Sequence, residues 1–236
     1  MKYDFTTILD RAGRDSLAAD AVPFDVQPDP DVRKIPMWVA DMSFPAAPPI
    51  IEAIEKRLEM PNFGYFSLPD SYFDSIISWQ QRRNGVTKLS REHIGYENGV
   101  LGGVSSAVQA LTAPGEKILV HSPTYVGFTR TMADNGRVLV HSPLVRDENG
   151  VWRMDYADMD AKLKRHHIHL AILCSPHNPC GRVWERWELE RAMEVYAANE
   201  CLVISDEIWS DIIMPGHKHI PSQTVSSDAR ELTVGV

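Results

Sequence analysis

The length, composition and charge of the chain exclude several classes of function. Its 236 residues, 44% of them apolar and 24% charged, suffice for a full buried core, and no run is apolar enough to span a membrane. The formal net charge of -8, without a cluster of basic residues, argues against a nucleic-acid partner. Three cysteines and a charged start, where a secretory signal would be apolar, predict free thiols in the cytoplasm.

The first part of the chain differs in pattern from the rest. Residues 1–46 are rich in proline and aspartate and have little periodicity, which predicts an extended arm rather than helix. Residues 47–236 are predicted to form one large domain. It begins with two patterns of helical spacing, IIEAIEKRLEM and SYFDSIISWQQRRNG, and the second ends at the stop signal Asn84–Gly85.

From residue 99 onwards, short apolar runs alternate with helical patterns. The runs KILVHSP, RVLVHSPLV, LAILCS, CLVISDE and LTVGV are typical of strands, and most of the segments between them have helical spacing. Successive strands joined by helices require crossover connections. The sequence therefore predicts an α/β fold with a mainly parallel sheet and helices on both faces.

Four polar or glycine-rich segments mark the places where an open α/β sheet binds ligands, beyond the carboxyl ends of its strands. They are NGVLGGV at 98–104, SPTY at 122–125, SPHNPCG at 175–181 and SDEIW at 205–209. The glycines of NGVLGGV, at a predicted helix start, suit either a phosphate bound by free amide groups or close packing alone.

Asp206 follows the apolar run LVIS, so its carboxylate is expected at the end of a buried strand. An unpaired charge there needs a cationic or hydrogen-bond-donating partner. One alternative is an aspartate that caps a loop by accepting backbone N–H bonds. The acidic strand of a nucleotide hydrolase is disfavoured, because that fold needs GxxxxGK[ST] and no lysine here is followed by Ser or Thr.

Cys174, His177 and Cys180 have the residue types and spacing of a small zinc knuckle. However, no fourth ligand is nearby and two prolines stiffen the loop. Cys174 also lies inside an apolar run, where core packing explains it better. The sequence therefore predicts no metal site.

The order of these motifs resembles the pyridoxal-phosphate aminotransferase superfamily of fold type I. The segments PMWVADMSFP, FGYFS, NGVLGGV, SPTYVGF, SPHNPCGRVW and SDEIWSD are most similar to its cystathionine beta-lyase-like branch, often called MalY/PatB. The similarity covers essentially the whole chain. It implies the large, cofactor-binding domain of that fold, incomplete at its C-terminus and without the C-terminal small domain.

The resemblance implies pyridoxal 5'-phosphate (PLP) as cofactor and assigns residues to it. Asp206 matches the carboxylate beside the ring nitrogen, which keeps that nitrogen protonated. Tyr125 matches the aromatic residue that stacks on the ring, and Asn178 matches the amide that donates to its phenolate oxygen. The phosphate is expected on backbone N–H groups around Val100 and Leu101.

Other positions bear on partners and substrate. Tyr65 matches a residue that relatives extend to the phosphate of a neighbouring subunit, which implies a homodimer. Ala40 and Asp41 match the substrate side. Trp209 stands where the family has Tyr or His near the phenolate oxygen, and an indole N–H can donate but cannot accept a proton. Ser43 replaces a usually acidic residue.

The Schiff-base lysine of the family is expected just beyond Val236, and Lys218 lies in a loop where exposure is expected. The chain as given is therefore expected to be inactive alone. For the enzyme, the resemblance implies a C–S beta-lyase that cleaves sulfur amino acids to a thiol, pyruvate and ammonia. A PLP-dependent aminotransferase is the alternative reaction. A non-catalytic binding module without the lysine is the alternative of another class.

Overall fold

The computed structural model describes residues 3–22, 29, 31–32 and 35–236. The chain divides into two units, Met1–Ser67 and Leu68–Val236. Of the predicted arm, residues 1–2, 23–28, 30 and 33–34 lie outside the described residues.

The described residues of the first unit include two helices, α1 (Leu17–Asp20) and α2 (Pro48–Leu58). α2 confirms the first helical pattern of the sequence, IIEAIEKRLEM, and its first residue is a proline, whose fixed φ suits that position. The single turn of α1 was not expected in an arm without helix. It forms because the Ser16 hydroxyl accepts a hydrogen bond from the N–H of Ala19 at 3.4 Å.

The second unit is built on seven strands among its described residues. They are β1 (Lys117–Ser122), β2 (Val138–Pro143), β3 (Val145–Arg146), β4 (Trp152–Arg153), β5 (Leu170–Cys174), β6 (Leu202–Asp206) and β7 (Thr233–Gly235). Five of them form one sheet in the order β2-β1-β5-β6-β7, and every neighbouring pair is parallel. The predicted parallel α/β sheet is therefore confirmed.

Helices precede or connect these strands. They are α3 (Asp70–Asn84), α4 (Val100–Leu111), α5 (Val126–Asp134), α6 (Tyr156–His166), α7 (Arg186–Ala198) and α8 (Ser227–Leu232). The predicted stop of α3 is confirmed: Gly85 has a φ of 71°, and its N–H donates to the carbonyls of Gln80 and Gln81. No helix among the described residues has the length and apolarity to cross a membrane.

Alternate residues of the central strands pack into two different cores. Ile118 and Val120 of β1 belong to a cluster with residues of α4 and α5, whereas Leu119 belongs to a cluster with residues of α6 and α7. Because successive side chains of a strand point to opposite faces, the sheet is covered by helices on both sides. This explains why the runs read as continuously apolar.

The hairpin of β3 and β4 was not predicted. Its two-residue strands are too short to show a period. It is joined to α7 through Glu188, whose fully buried carboxylate accepts hydrogen bonds from Arg153 at 2.9 Å and from Arg182. Two guanidinium groups thus compensate one buried charge.

Candidate active site

Three neighbouring strands end at the same edge of the sheet. β1, β5 and β6 are adjacent and parallel, and Cys174 at the end of β5 is in register with Asp206 at the end of β6. The loops that follow carry Tyr125 after β1 and Asn178 after β5. The structure therefore brings three residues that the sequence singled out to one edge, where α/β sheets bind ligands.

Asp206 is a buried carboxylate without a compensating cation in its unit. Its side chain is 4% exposed, and Oδ1 accepts a single backbone hydrogen bond, from the N–H of Ile208 at 3.2 Å. Within Leu68–Val236, no lysine, arginine or histidine nitrogen pairs with it. Burial raises the pKa of this carboxyl, and the adjacent charge of Glu207 adds to the shift. A cationic ligand would relieve this unfavourable desolvation.

The second oxygen of Asp206 faces a thiol. Oδ2 lies 3.9 Å from Sγ of Cys174, which is also 3.2 Å from the carbonyl of Pro176 and accepts from the N–H of Asn178 at 3.4 Å. Burial raises the pKa of Cys174 to about 12, so the group is an uncharged thiol at neutral pH. Cys174 thus links the β5 loop to Asp206.

Tyr125 precedes the first residue of α5 and is half-buried. Its ring meets Phe128 edge-on, with 5.5 Å between centroids and an interplanar angle of 86°. An edge-to-face contact fixes the orientation of one ring against the other. The ring of Tyr125 is therefore held at the carboxyl end of β1.

The start of α4 supplies free backbone donors. Gly99 precedes it with a φ of 77°, which only glycine adopts easily, and no side chain caps the helix. The N–H groups of Val100 and Leu101 are in the first turn, where the helix itself provides no acceptors. Val100, Leu101 and Tyr125 pack against the same apolar cluster, which includes Cys174.

The segment after Asp206 is held by hydrogen bonds of the Glu207 carboxylate. Glu207 Oε2 lies 2.9 Å from Nε2 of His219, and its Oε1 accepts from the N–H of Ser222 and the hydroxyl of Ser205, each at 2.9 Å. No pattern in the sequence indicates this network, apart from the acidic residue itself. Its effect is to tie residues 219–222 to the end of β6.

Trp209 and Lys218 also lie in the segment after Asp206. Trp209 is half-buried in the turn after Asp206. Lys218 is exposed in its loop, as predicted.

The predicted site residues of the first unit are all on its surface. Tyr65, Ala40 and Asp41 are exposed. Asp41 forms an ion pair with Arg11, whose other nitrogen is 3.4 Å from the Ser43 hydroxyl. Asp41 thus already has a cationic partner, unlike Asp206.

Cys174 and His177, two residues with the spacing of a zinc knuckle, have other roles in the structure. Cys174 belongs to an apolar core cluster, which confirms its prediction as core packing, and the ring of His177 packs against Trp184 at 5.7 Å. No group of three or more potential metal ligands occurs among the described residues.

Comparison with known proteins identifies the family. The model of the family "aminotransferase class I and II" matches residues 34–235. The chain belongs to the class I and II aminotransferase family. This membership confirms the resemblance inferred from the motifs, and the parallel sheet with flanking helices is that of the family's large domain.

Relatives within the aminotransferase class I and II family carry two kinds of name. The cystathionine beta-lyase PatB of Bacillus subtilis (strain 168) is 40% identical over 85% of this chain and 51% of its own length. A PLP-bound protein of Clostridium difficile 630, named as an aminotransferase, has a TM-score of 0.87 and 38% identity over 99% of this chain and 59% of its own. A PLP-bound C–S lyase of Staphylococcus hominis has a TM-score of 0.86 and 30% identity over 100% of this chain and 58% of its own. The chain thus spans about half to three fifths of the length of these relatives.

Proposed function

We propose that this chain is the cofactor-binding part of a PLP-dependent C–S beta-lyase, which cleaves sulfur amino acids to a thiol, pyruvate and ammonia. The observation that carries the proposal is the buried carboxylate of Asp206, which lacks a cation in its unit. The names of the relatives PatB and C–S lyase support the choice of reaction.

The residues at the sheet edge fit PLP. A pyridinium N–H would give Asp206 the positively charged donor that its burial calls for. The first-turn N–H groups of Val100 and Leu101 suit a phosphate, since they also lie at the positive end of the α4 dipole. The ring of Tyr125 offers a face for stacking. The Asn178 amide, in the loop after β5, would donate to the phenolate oxygen.

Each of these residues would make a separate contribution. Bound PLP supplies an electron sink that stabilises negative charge on the α-carbon of an amino acid. Asp206 would keep a proton on the ring nitrogen, without which that sink is weak. Tyr125 would hold the ring orientation, and the start of α4 would bind the phosphate. Trp209 would donate its indole N–H near the phenolate oxygen, where a proton-accepting residue is usual in the family.

The finer parts of the proposal concern the rest of the enzyme. The Schiff-base lysine is placed just beyond Val236, which stays a prediction. A homodimer is proposed because Tyr65 is fully exposed and matches a residue that relatives extend to a neighbouring subunit. A cytoplasmic location is supported by three free cysteines.

The lyase is tested with the enzyme that carries the predicted Schiff-base lysine, incubated with PLP and L-cystathionine in the absence of any keto acid. Pyruvate release under these conditions is the expected result. A strict requirement for a keto-acid acceptor would instead establish an aminotransferase, the candidate favoured by the name of the Clostridium difficile relative. Absence of PLP binding would reject both and favour the non-catalytic binding module.

A further inference from the structure

Gly127 occupies a helical position where its lack of a side chain serves the neighbouring tyrosine. It is the second residue of α5, is buried and has no positive φ, so its backbone conformation is open to any residue. Helix propensity favours alanine over glycine at such a position. The presence of glycine therefore needs another reason.

That reason is the ring of Tyr125. A β-carbon built on Gly127 would lie 2.8 Å from Cζ and 2.9 Å from Cδ1 of Tyr125, and closer still to Cε1. These separations are shorter than carbon atoms tolerate without movement. The Tyr125 ring thus occupies the space that a side chain at position 127 would take.

A second neighbour also contacts the ring. Phe128, the next residue after Gly127, meets the Tyr125 ring edge-on at 5.5 Å and is 1% exposed. The ring is therefore bounded by Phe128 and rests over the bare backbone of Gly127. A methyl group at position 127 would force it to rotate away from this orientation.

We infer that Gly127 is a positioning residue for the cofactor: by leaving space for the Tyr125 ring, it sets the stacking face presented to PLP. This inference rests on the proposed PLP site. It predicts that Gly127→Ala acts only through Tyr125.

A double-mutant cycle tests this without relying on turnover. In the cofactor-free protein, Gly127→Ala should lower the unfolding midpoint when Tyr125 is present and raise it in the Tyr125→Ala background, where only helix propensity remains. The same sign in both backgrounds would overturn the inference.

The second readout is the PLP dissociation constant, measured by absorbance titration. Both Gly127→Ala and Tyr125→Ala should raise this constant about tenfold, and the double variant should bind PLP no more weakly than Tyr125→Ala alone. Gly95→Ala is the control, because a β-carbon there meets nothing within 4 Å, and it should leave PLP affinity unchanged.

The outcomes separate the inference from the proposed function. PLP binding that is weakened by Tyr125→Ala but not by Gly127→Ala would overturn the role of Gly127 and leave the PLP site intact. Equal losses from Gly127→Ala in both backgrounds would show that the glycine acts elsewhere. Failure of every variant, including the unsubstituted protein, to bind PLP would reject the proposed function and with it the role of Gly127 in cofactor binding.

Discussion

The thiol of Cys174 lies 3.9 Å from Oδ2 of Asp206, at the ends of two adjacent parallel strands. Both side chains are buried, and the thiol also accepts the N–H of Asn178. A buried cysteine thus connects the carboxylate proposed for the ring nitrogen to the amide proposed for the phenolate oxygen.

Cys174→Ala should weaken PLP binding about three- to tenfold, because it removes a contact of Asp206 and the acceptor for Asn178. Cys174→Ser should restore part of the affinity. Cys201→Ala is the matched control: Cys201 is equally buried but belongs to no contact of the site. Similar changes in PLP affinity for Cys174→Ala and Cys201→Ala would remove Cys174 from the site.

Asp206→Asn should separate function from stability. We expect PLP affinity to fall at least about tenfold, because the amide cannot hold the ring nitrogen protonated. In the enzyme that carries the predicted Schiff-base lysine, pyruvate formation should fall at least about a hundredfold for the same reason. The cofactor-free protein should be no less stable, since burial disfavours the charge that is removed. Titration with PLP, the pyruvate assay and chemical denaturation measure the three effects.

Asp211→Asn provides the comparison for Asp206→Asn. Asp211 lies five residues further along, is exposed and pairs with Arg83. The Asp211→Asn variant should leave PLP affinity and turnover unchanged. Normal turnover of Asp206→Asn would contradict its role beside the ring nitrogen.

The sequence predicted the sheet well because each of its strands is a distinct apolar run between helical patterns. It also placed Asp206 correctly at a buried strand end, since Leu202, Val203 and Ile204 form an apolar run shortly before it. These features are local, so they can be recognised from the sequence alone.

Contacts between strands were not predictable in the same way. The proximity of Cys174 to Asp206 depends on the register of β5 against β6, which the crossover sets and which no local pattern encodes. The link of Glu207 to His219 spans an irregular loop. The role of Gly127 depends on the rotamer of a neighbouring ring, which only the packing decides.

The network of Glu207 should contribute to stability. Glu207→Ala should lower the free energy of unfolding by about 2–4 kcal/mol, because it leaves the buried Ser222 N–H and His219 ring without their acceptors. Glu207→Gln should lower the free energy of unfolding by less, since its amide oxygen can still accept one of these hydrogen bonds. Chemical denaturation measures both. Glu148→Ala, at an exposed loop position, is the control. If it lowers the free energy of unfolding as much as Glu207→Ala does, the Glu207 network contributes nothing to stability.

Two buried histidines should make the protein sensitive to mild acid. His121 and His177 are 2% and 3% exposed, and in each the Nδ1 atom has no hydrogen-bond partner among the described residues. Burial lowers the pKa of His121 to about 3 and that of His177 to about 4. Both rings are therefore neutral in the folded protein near pH 6.

The sign of the effect follows from the unfolded state, in which histidine has a pKa of about 6.5. Between pH 6.5 and 5 the unfolded chain binds protons that the folded protein does not, so the free energy of unfolding falls as pH falls. The slope approaches about 1.4 kcal/mol per pH unit for each histidine below pH 6. The raised pKa of Asp206 acts in the opposite direction, because a carboxyl group with a raised pKa binds its proton more readily in the folded protein than in the unfolded chain.

Denaturation curves recorded at pH 7, 6 and 5 measure this slope. His177→Asn should reduce it by the share of one histidine, whereas His217→Gln, at an exposed position, should leave it unchanged. His121 retains its share in the His177→Asn variant, because its ring still lies 3.4 Å from the Tyr196 hydroxyl and stays buried. A free energy of unfolding that is constant from pH 7 to 5 would mean that these rings can take up protons in the folded protein.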